Sequence, residues 1–204
     1  MKALHILTTN RDEEICEAAA PWILHIGIVP TRAVFTPKDT PAEELSALLK
    51  LVLDVKEDVL VLQPPVLPVD WPDMAPGSAV GELMQDGNIS MAAFSVSMEV
   101  AHAMRSMLAR LSANGDPGLD LNRLFTVVFM AAAGTTANIR PCRTAQLDAA
   151  KPTHIPPCSC VNIASNDMLE LIRAAKLDIH ANIARHMENA VAKLLKKGDC
   201  HGQA

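Results

Sequence analysis

Aromatic side chains are scarce in this 204-residue sequence: they make up 3% of it and include no tyrosine. Four Phe and two Trp offer few platforms for stacking nucleic-acid bases, and a formal net charge of −5 is unlike a nucleic-acid-binding surface. We therefore expect no nucleic-acid partner. Half of the sequence is apolar, but few of these residues are aromatic. The core therefore has to be built mainly from aliphatic residues and ten Met.

Long hydrophobic runs are also missing. The most apolar window, LFTVVFMAAAG at 124–134, is far shorter than the roughly 20 residues that a membrane-spanning helix needs. Residues 1–7 are too short for the apolar region of a secretory signal, and charged residues follow at 11–14. Five cysteines, an odd number, argue against a disulfide framework. These features predict a cytoplasmic protein without a membrane partner.

Several nucleotide-binding and catalytic motifs are absent from the sequence. It contains no GxGxxG, no GxxxxGK[ST] and no GxSxG, so the usual dinucleotide, P-loop and serine-hydrolase mechanisms are not indicated. It also has no internal repeat. The composition is that of a folded globular protein. We expect one domain over residues 1–197 and a disordered tail at 198–204, because chain ends fray.

Residues 1–63 alternate between strand and helix patterns. Short apolar strands are predicted at 2–9, 31–36 and 58–63, with an acidic helix from Arg11 between the first two. A second helix starts with Thr40 at the N-cap, Pro41 at the first position and Glu43 at the third. This alternation is typical of a parallel α/β sheet.

The rest of the chain predicts further elements of the same kind. Residues 63–77 contain five prolines and indicate an irregular connection. Residues 88–113 indicate one long helix capped by Asn88, and 124–134 a buried central strand followed by a polar loop. CVNIAS at 160–165 is a candidate fifth strand, and a long amphipathic helix follows. We expect a three-layer α/β fold, Rossmann-like or flavodoxin-like, with about five mostly parallel strands and helices on both faces.

The predicted helix 88–113 is apolar around most of its circumference. One sheet face cannot cover that much apolar surface, so the helix predicts a homo-oligomer.

A ligand site is predicted from the polar residues near the ends of the strands, because open parallel sheets bind ligands beyond their carboxyl ends. Hydroxyls, amides and arginines at one rim would suit a nucleotide, a phosphate or a carboxylate. The alternative is that such residues only cap the helices that follow. The candidate ligand-binding residues are Thr9, Asn10, Arg11, Thr135, Thr136, Asn138, Arg140 and Arg143.

Three cysteines and one histidine between residues 142 and 160 could bind a metal ion. Cys142, His154, Cys158 and Cys160 could form a tetrahedral zinc set, but only one residue separates the last two cysteines. Redox chemistry is a further alternative. The spacing favours a strand entry in which the cysteines alternate between faces and are buried as small apolar residues. We therefore expect no cofactor, with zinc as the alternative.

Two functions remain open from the sequence. The first is a small-molecule-binding protein, sensor or enzyme, with an anionic ligand at the strand ends. The second is a structural or assembly protein that associates through its helices and has no small-molecule ligand. No nucleophile lies at a recognisable spacing from a base, so the sequence identifies no catalytic residue.

Overall fold

The computed structural model describes residues 2–9, 12–17, 29–64, 66–68, 74–115, 118–141, 144–146 and 160–162. The chain divides into two units, Met1–Gln146 with Pro156–Ala164 and Leu147–Ile155 with Ser165–Ala204. All described residues belong to the first unit. The predicted C-terminal helix and tail lie outside them, and the single domain over 1–197 stays a prediction.

The centre of this unit is a six-stranded mixed sheet with the order β2-β1-β3-β6-β5-β7. The pairs β1–β2, β1–β3 and β5–β7 are parallel, whereas β6 is antiparallel to both of its neighbours. A second sheet has the order β4-β9-β8. The strands are β1 Lys2–Leu7, β2 Val29–Val34, β3 Val59–Leu62, β4 Val66–Pro68, β5 Ala79–Leu83, β6 Ile89–Val96, β7 Ala137–Pro141, β8 Thr144–Gln146 and β9 Cys160–Asn162.

The elements predicted before residue 63 are present. β1, β2 and β3 fall on the three predicted strands, and residues 12–17 are helical. Helix α1, Pro41–Asp54, begins as predicted: Oγ1 of Thr40 accepts a hydrogen bond of 3.3 Å from the backbone N–H of Glu43. Its buried residues recur at helical spacing, at Leu45, Leu48, Leu49 and Val52, and form the face against the sheet.

Helices cover both faces of the central sheet. Successive residues of a strand point to opposite faces, so neighbouring residues of β1 contact helices on different sides. Leu4 and Ile6 of β1 join one core with α1, α2 (Met98–Ala113) and α3 (Leu121–Ala133). His5 faces the other side, where Cys16 of the helical residues 12–17 contacts it. The predicted α/β architecture with helices on both faces is confirmed, with a mixed sheet.

The single helix predicted over 88–113 is wrong. Residues 89–96 form β6, and α2 starts only after Ser97, whose side chain caps it by accepting a hydrogen bond from the N–H of Val100. Buried and half-buried residues alternate only over 89–92 whereas 93–96 are all buried, so the strand period of two is incomplete in the sequence. The composition of this segment is ambiguous, and pairing with β3 and β5 decides that it is a strand.

This correction removes the argument for self-association. The apolar side chains of β6 are buried in the core of the same chain and leave no excess surface for a partner subunit. Association through 88–113 therefore stays a prediction without that support.

The buried central strand predicted over 124–134 is also wrong, because these residues belong to α3. Asp120 caps this helix by accepting a hydrogen bond of 2.9 Å from the N–H of Arg123. Its buried residues, Leu124, Phe125, Val128 and Phe129, follow the i, i+1, i+4, i+5 pattern of a helix face. The β-branched and aromatic composition suggested a strand, but the spacing and the cap indicate a helix.

Three smaller predictions also need correction. The polar loop after residue 134 is a 3-10 turn, Gly134–Thr136, followed by β7. The proline-rich connection contains the short strand β4. The described part of the candidate fifth strand, β9, belongs to the second sheet.

Phenylalanines hold α3 against the central sheet. The ring centroids of Phe94 and Phe125 are 4.8 Å apart, and those of Phe125 and Phe129 are 5.6 Å apart. All three side chains are fully buried. Rings at these distances contribute about 0.5–1.5 kcal/mol per pair beyond the area that they bury.

Gly81 allows Phe129 to pack closely on β5. A Cβ at this position would lie 2.7 Å from Cγ2 of Ile89 and 3.1 Å from Cζ of Phe129. We expect Gly81→Ala to lower the free energy of unfolding by about 1–3 kcal/mol, the usual cost of overpacking. Urea denaturation of Gly81→Ala, Ile89→Ala and the double variant measures this cost. It should be smaller in the Ile89→Ala background, and strictly additive effects would contradict a steric cause.

Among the helices that the structure describes, none combines the length and hydrophobicity needed to cross a membrane.

Candidate functional site

The carboxyl ends of five strands lie along one edge of the central sheet. β1, β2 and β3 run in parallel, and two successive antiparallel pairs, β3–β6 and β6–β5, restore that direction in β5 and β7. We call this side the carboxyl edge. Ligands of open α/β sheets bind at such an edge, because loops and helix N-termini converge there.

A cavity of about 150 Å³ opens at the carboxyl edge, between the strand ends and the first turns of α1 and α3. Its polar lining residues are Thr8, Glu44, Gln63 and Asn122. Its apolar lining residues are Ile6, Phe35, Pro37, Leu48, Met91 and Leu121.

Two of the polar residues that line the cavity, Thr8 and Glu44, have hydrogen-bond partners among the described residues. Oγ1 of Thr8 donates a hydrogen bond of 2.8 Å to Oδ2 of Asp12, and Oε2 of Glu44 accepts one of 3.2 Å from the N–H of Lys38. The side-chain amides of Gln63 and Asn122 make no hydrogen bond to any other residue that the structure describes.

Thr9 is part of a reciprocal capping arrangement with Asp12. Oγ1 of Thr9 accepts a hydrogen bond of 3.3 Å from the N–H of Asp12, while Oδ2 of Asp12 accepts one of 2.8 Å from the N–H of Thr9. Burial raises the pKa of Asp12, but the hydrogen bonds from Thr8 and Thr9 outweigh it, so the pKa lies below its ordinary value. Thr9 therefore has the helix-capping role that was the alternative to ligand binding.

Of the other predicted ligand residues, the four that the structure describes are not brought together at this edge. Thr135 and Thr136 precede β7 and so lie toward its amino end, opposite the carboxyl edge. Asn138 and Arg140 are within β7, on positions paired with Val80 and Glu82. Asn10, Arg11 and Arg143 lie outside the described residues, and the binding role of the whole set stays a prediction.

The placement of Thr135 and Thr136 follows from the error over 124–134. A strand there would have ended at Gly134 and delivered the threonines to the carboxyl edge. In the structure Gly134 instead ends α3, with φ +52°, and its N–H donates a hydrogen bond to the carbonyl of Met130. That conformation favours glycine, so the residue serves helix termination.

Only one residue of the alternative zinc set lies among the residues that the structure describes. Cys142, His154 and Cys158 lie outside the described residues, and Cys160 is the first residue of β9. Within the described part of the chain, no group of three or more His, Cys, Asp or Glu side chains could hold a metal ion.

Sequence reasoning missed a buried histidine–cysteine pair on the second face of the sheet. Sγ of Cys16 lies 3.1 Å from Nδ1 of His5, and both residues are almost completely buried. Burial lowers the pKa of His5 to about 4, and the cation of Arg32 adds to this effect. Burial raises the pKa of Cys16 to about 12. Both groups are therefore uncharged at neutral pH, and the thiol is not activated as a nucleophile.

The cavity residues were only partly accessible to sequence reasoning. Thr8 and Gln63 follow predicted strands, so the strand-end rule points to them. Glu44 looks like an ordinary acidic residue in the first turn of a helix. The sequence did not point to Asn122 as a site residue, because the residues after it were predicted to form a strand and not the start of α3.

Comparisons with known proteins identify the fold. No family model and no curated protein match the sequence. The structure is similar to that of a glycosyltransferase involved in the glycosylation of the major capsid of PBCV-1, with a TM-score of 0.55 and 10% identity. That similarity covers 84% of this chain and 98% of the other. At such low identity it shows a shared α/β fold.

Two further similarities are with longer proteins. The catalytic domain of Drosophila β-1,4-galactosyltransferase 7 in complex with xylobiose gives a TM-score of 0.45, 14% identity, and coverage of 69% of this chain and 64% of that one. Glycosyltransferase GlyE of Streptococcus pneumoniae gives 0.47 and 10%, with coverage of 94% and 65%. The chain thus spans less than two thirds of either protein.

Proposed function

We propose that this protein binds a nucleotide sugar at the carboxyl edge and transfers its glycosyl group. The observation that carries the proposal is the fold shared with a glycosyltransferase over almost all of that enzyme's length. The cavity supports it, because it lies where open α/β sheets bind nucleotides. A nucleotide sugar also belongs to the anionic ligands that the strand-end residues predict.

The phosphates of such a ligand need cationic or N–H groups near the cavity. Of the predicted arginines, Arg11 follows β1, whereas Arg140 lies within β7 and Arg143 follows it. β1 and β7 are four strand spacings apart, which is about 19 Å at about 4.8 Å per spacing and too far for one diphosphate to contact both. Because Thr8, three residues before Arg11, lines the cavity, we propose Arg11 for the phosphate contact.

Calorimetric and thermal-shift titrations with UDP-glucose, UDP-galactose, GDP-mannose and UDP test the proposal. A bound nucleotide sugar at a hundred times its dissociation constant should raise the free energy of unfolding by about 2.7 kcal/mol. With water as the acceptor, prolonged incubation should hydrolyse the bound nucleotide sugar to the free sugar and the nucleoside diphosphate, which chromatography detects. Failure of all four compounds to bind would contradict the proposal.

Arg11→Ala tests the assignment of the phosphate contact. The variant should bind UDP and nucleotide sugars at least about tenfold more weakly, since a charge-assisted hydrogen bond is lost. Arg110→Ala is the matched control, because Arg110 is exposed near the end of α2, away from the cavity lining. Equal affinities in the two variants would remove Arg11 from the site.

A further inference from the structure

We infer that the cavity at the carboxyl edge receives an uncharged, hydrogen-bonding ring of the ligand and excludes its phosphates. The inference rests on the proposed function, because it assigns one part of a nucleotide sugar to one place. The shared chemistry is that of a nucleoside or a pyranose: a flat or puckered ring with several donors and acceptors.

The charge of the lining argues against a phosphate in the cavity. Among the ten lining residues that the structure describes there is no Lys, Arg or His, and the charged member is the acid Glu44. A phosphate placed there would meet a carboxylate of like charge and no cation from these ten residues. Hydroxyl or ring N–H groups, by contrast, can donate to the carboxylate of Glu44.

The size of the cavity fits one ring. Its volume is about 150 Å³. An engineered apolar cavity of about the same volume in another protein binds benzene, whereas pockets for drug-sized ligands start at about 300 Å³. A complete nucleotide sugar, with several rings and two phosphates, therefore has to extend beyond the cavity.

The lining offers apolar surface for the face of such a ring and hydrogen-bonding groups for its edge. Phe35, Pro37 and Met91 supply apolar surface on which a ring can pack. Gln63 and Asn122 supply amides, each with donor and acceptor capacity, that are not used by other described residues. Gln63 directly follows β3, and its backbone N–H donates a hydrogen bond of 2.8 Å to the carbonyl of Ala92, which fixes it at the rim.

The test compares ring probes with a phosphate probe. Saturation-transfer NMR and calorimetry are run with uridine, methyl α-D-glucopyranoside and pyrophosphate on the full chain. Gln63→Ala removes an amide of the cavity, and Gln85→Ala removes an exposed amide of the β5–β6 turn as the matched control. Leu121→Trp fills the cavity from the start of α3. Thermal unfolding confirms that each variant is folded.

We expect one of the two ring probes to bind the unaltered protein. Gln63→Ala should weaken that probe and the nucleotide sugar about fivefold to tenfold, Leu121→Trp should abolish binding of the probe, and Gln85→Ala should change neither. Pyrophosphate affinity should be the same in all variants. The ring probe that loses affinity in Gln63→Ala identifies the ring as nucleoside or pyranose.

The results separate this inference from the proposed function. If nucleotide sugars bind Gln63→Ala and Leu121→Trp as tightly as the unaltered protein, the cavity assignment is wrong and the proposed function stands. If a ring probe binds with the expected sensitivity but no nucleotide sugar does, the proposed function fails and the cavity is a site for a neutral ring. A pyrophosphate affinity that falls in Leu121→Trp would overturn the exclusion of phosphates.

Discussion

Replacing Phe125 by alanine should lower the free energy of unfolding by about 3–5 kcal/mol, the usual cost of removing a buried phenylalanine ring. Its side chain is fully buried and contacts Phe94 and Phe129, at centroid distances of 4.8 and 5.6 Å. The cavity left between α3 and the sheet cannot close easily, because both rings that line it are also fixed by the core. Urea denaturation monitored by circular dichroism measures the loss.

Two adjacent valines of α3 provide a matched control for this result. Val128 is fully buried, whereas Val127 is 44% exposed. Val128→Ala should cost about 1–3 kcal/mol, and Val127→Ala should stay within about 0.5 kcal/mol of the unaltered protein. If Val127 proved as costly as Val128, the assignment of α3 and its inward face would be wrong.

Acidification should destabilise the protein through His5, by about 3 kcal/mol in total. Burial lowers the pKa of its imidazole to about 4 from an ordinary value of 6.5. Between these values the unfolded chain binds a proton that the folded protein does not bind, so the free energy of unfolding falls as the pH falls from 6.5 towards 4. Below pH 4 both states carry the proton and the effect is complete. A difference of about 2.5 in pKa corresponds to about 3 kcal/mol.

Urea midpoints measured from pH 7.5 to pH 4 test this prediction. His5→Leu should flatten the pH dependence between 6.5 and 4, because the titrating group is gone. His102→Gln, at an exposed position of α2, controls for the removal of a histidine. The same slope in the unaltered protein and in His5→Leu would show that other groups cause the acid sensitivity. Asp12 titrates in a lower range, since its pKa lies below 3.8.

Local signals in the sequence were sufficient for the first half of the central sheet. Thr40, Pro41 and Glu43 define the start of α1 through hydrogen bonds and backbone angles that span only a few residues. β1 and β3 are short apolar runs between helix signals, and such runs become buried parallel strands. The sequence by itself therefore determined the α/β class and the parallel arrangement of β1, β2 and β3.

The tertiary structure decided β6. Its residues mix helix formers such as Ala92 and Ala93 with strand formers such as Ile89 and Val96, and it is a strand because it pairs with the adjacent β5 and with β3 farther back along the chain. For α3, by contrast, the cap at Asp120 and the helical spacing of its buried residues are local signals, to which the packing of its phenylalanines on Phe94 adds.

The composition of the candidate site was decided by the tertiary structure. Glu44, Gln63 and Asn122 lie 19 and 59 residues apart along the chain, and they line one cavity only because α1, β3 and α3 pack around the same strand ends. Thr135 and Thr136 lie toward the opposite edge and not at the predicted one, because the segment before them is a helix and not a strand. Local preferences fix where an element starts, but the pairing of strands and the burial of apolar faces fix which side chains share a site.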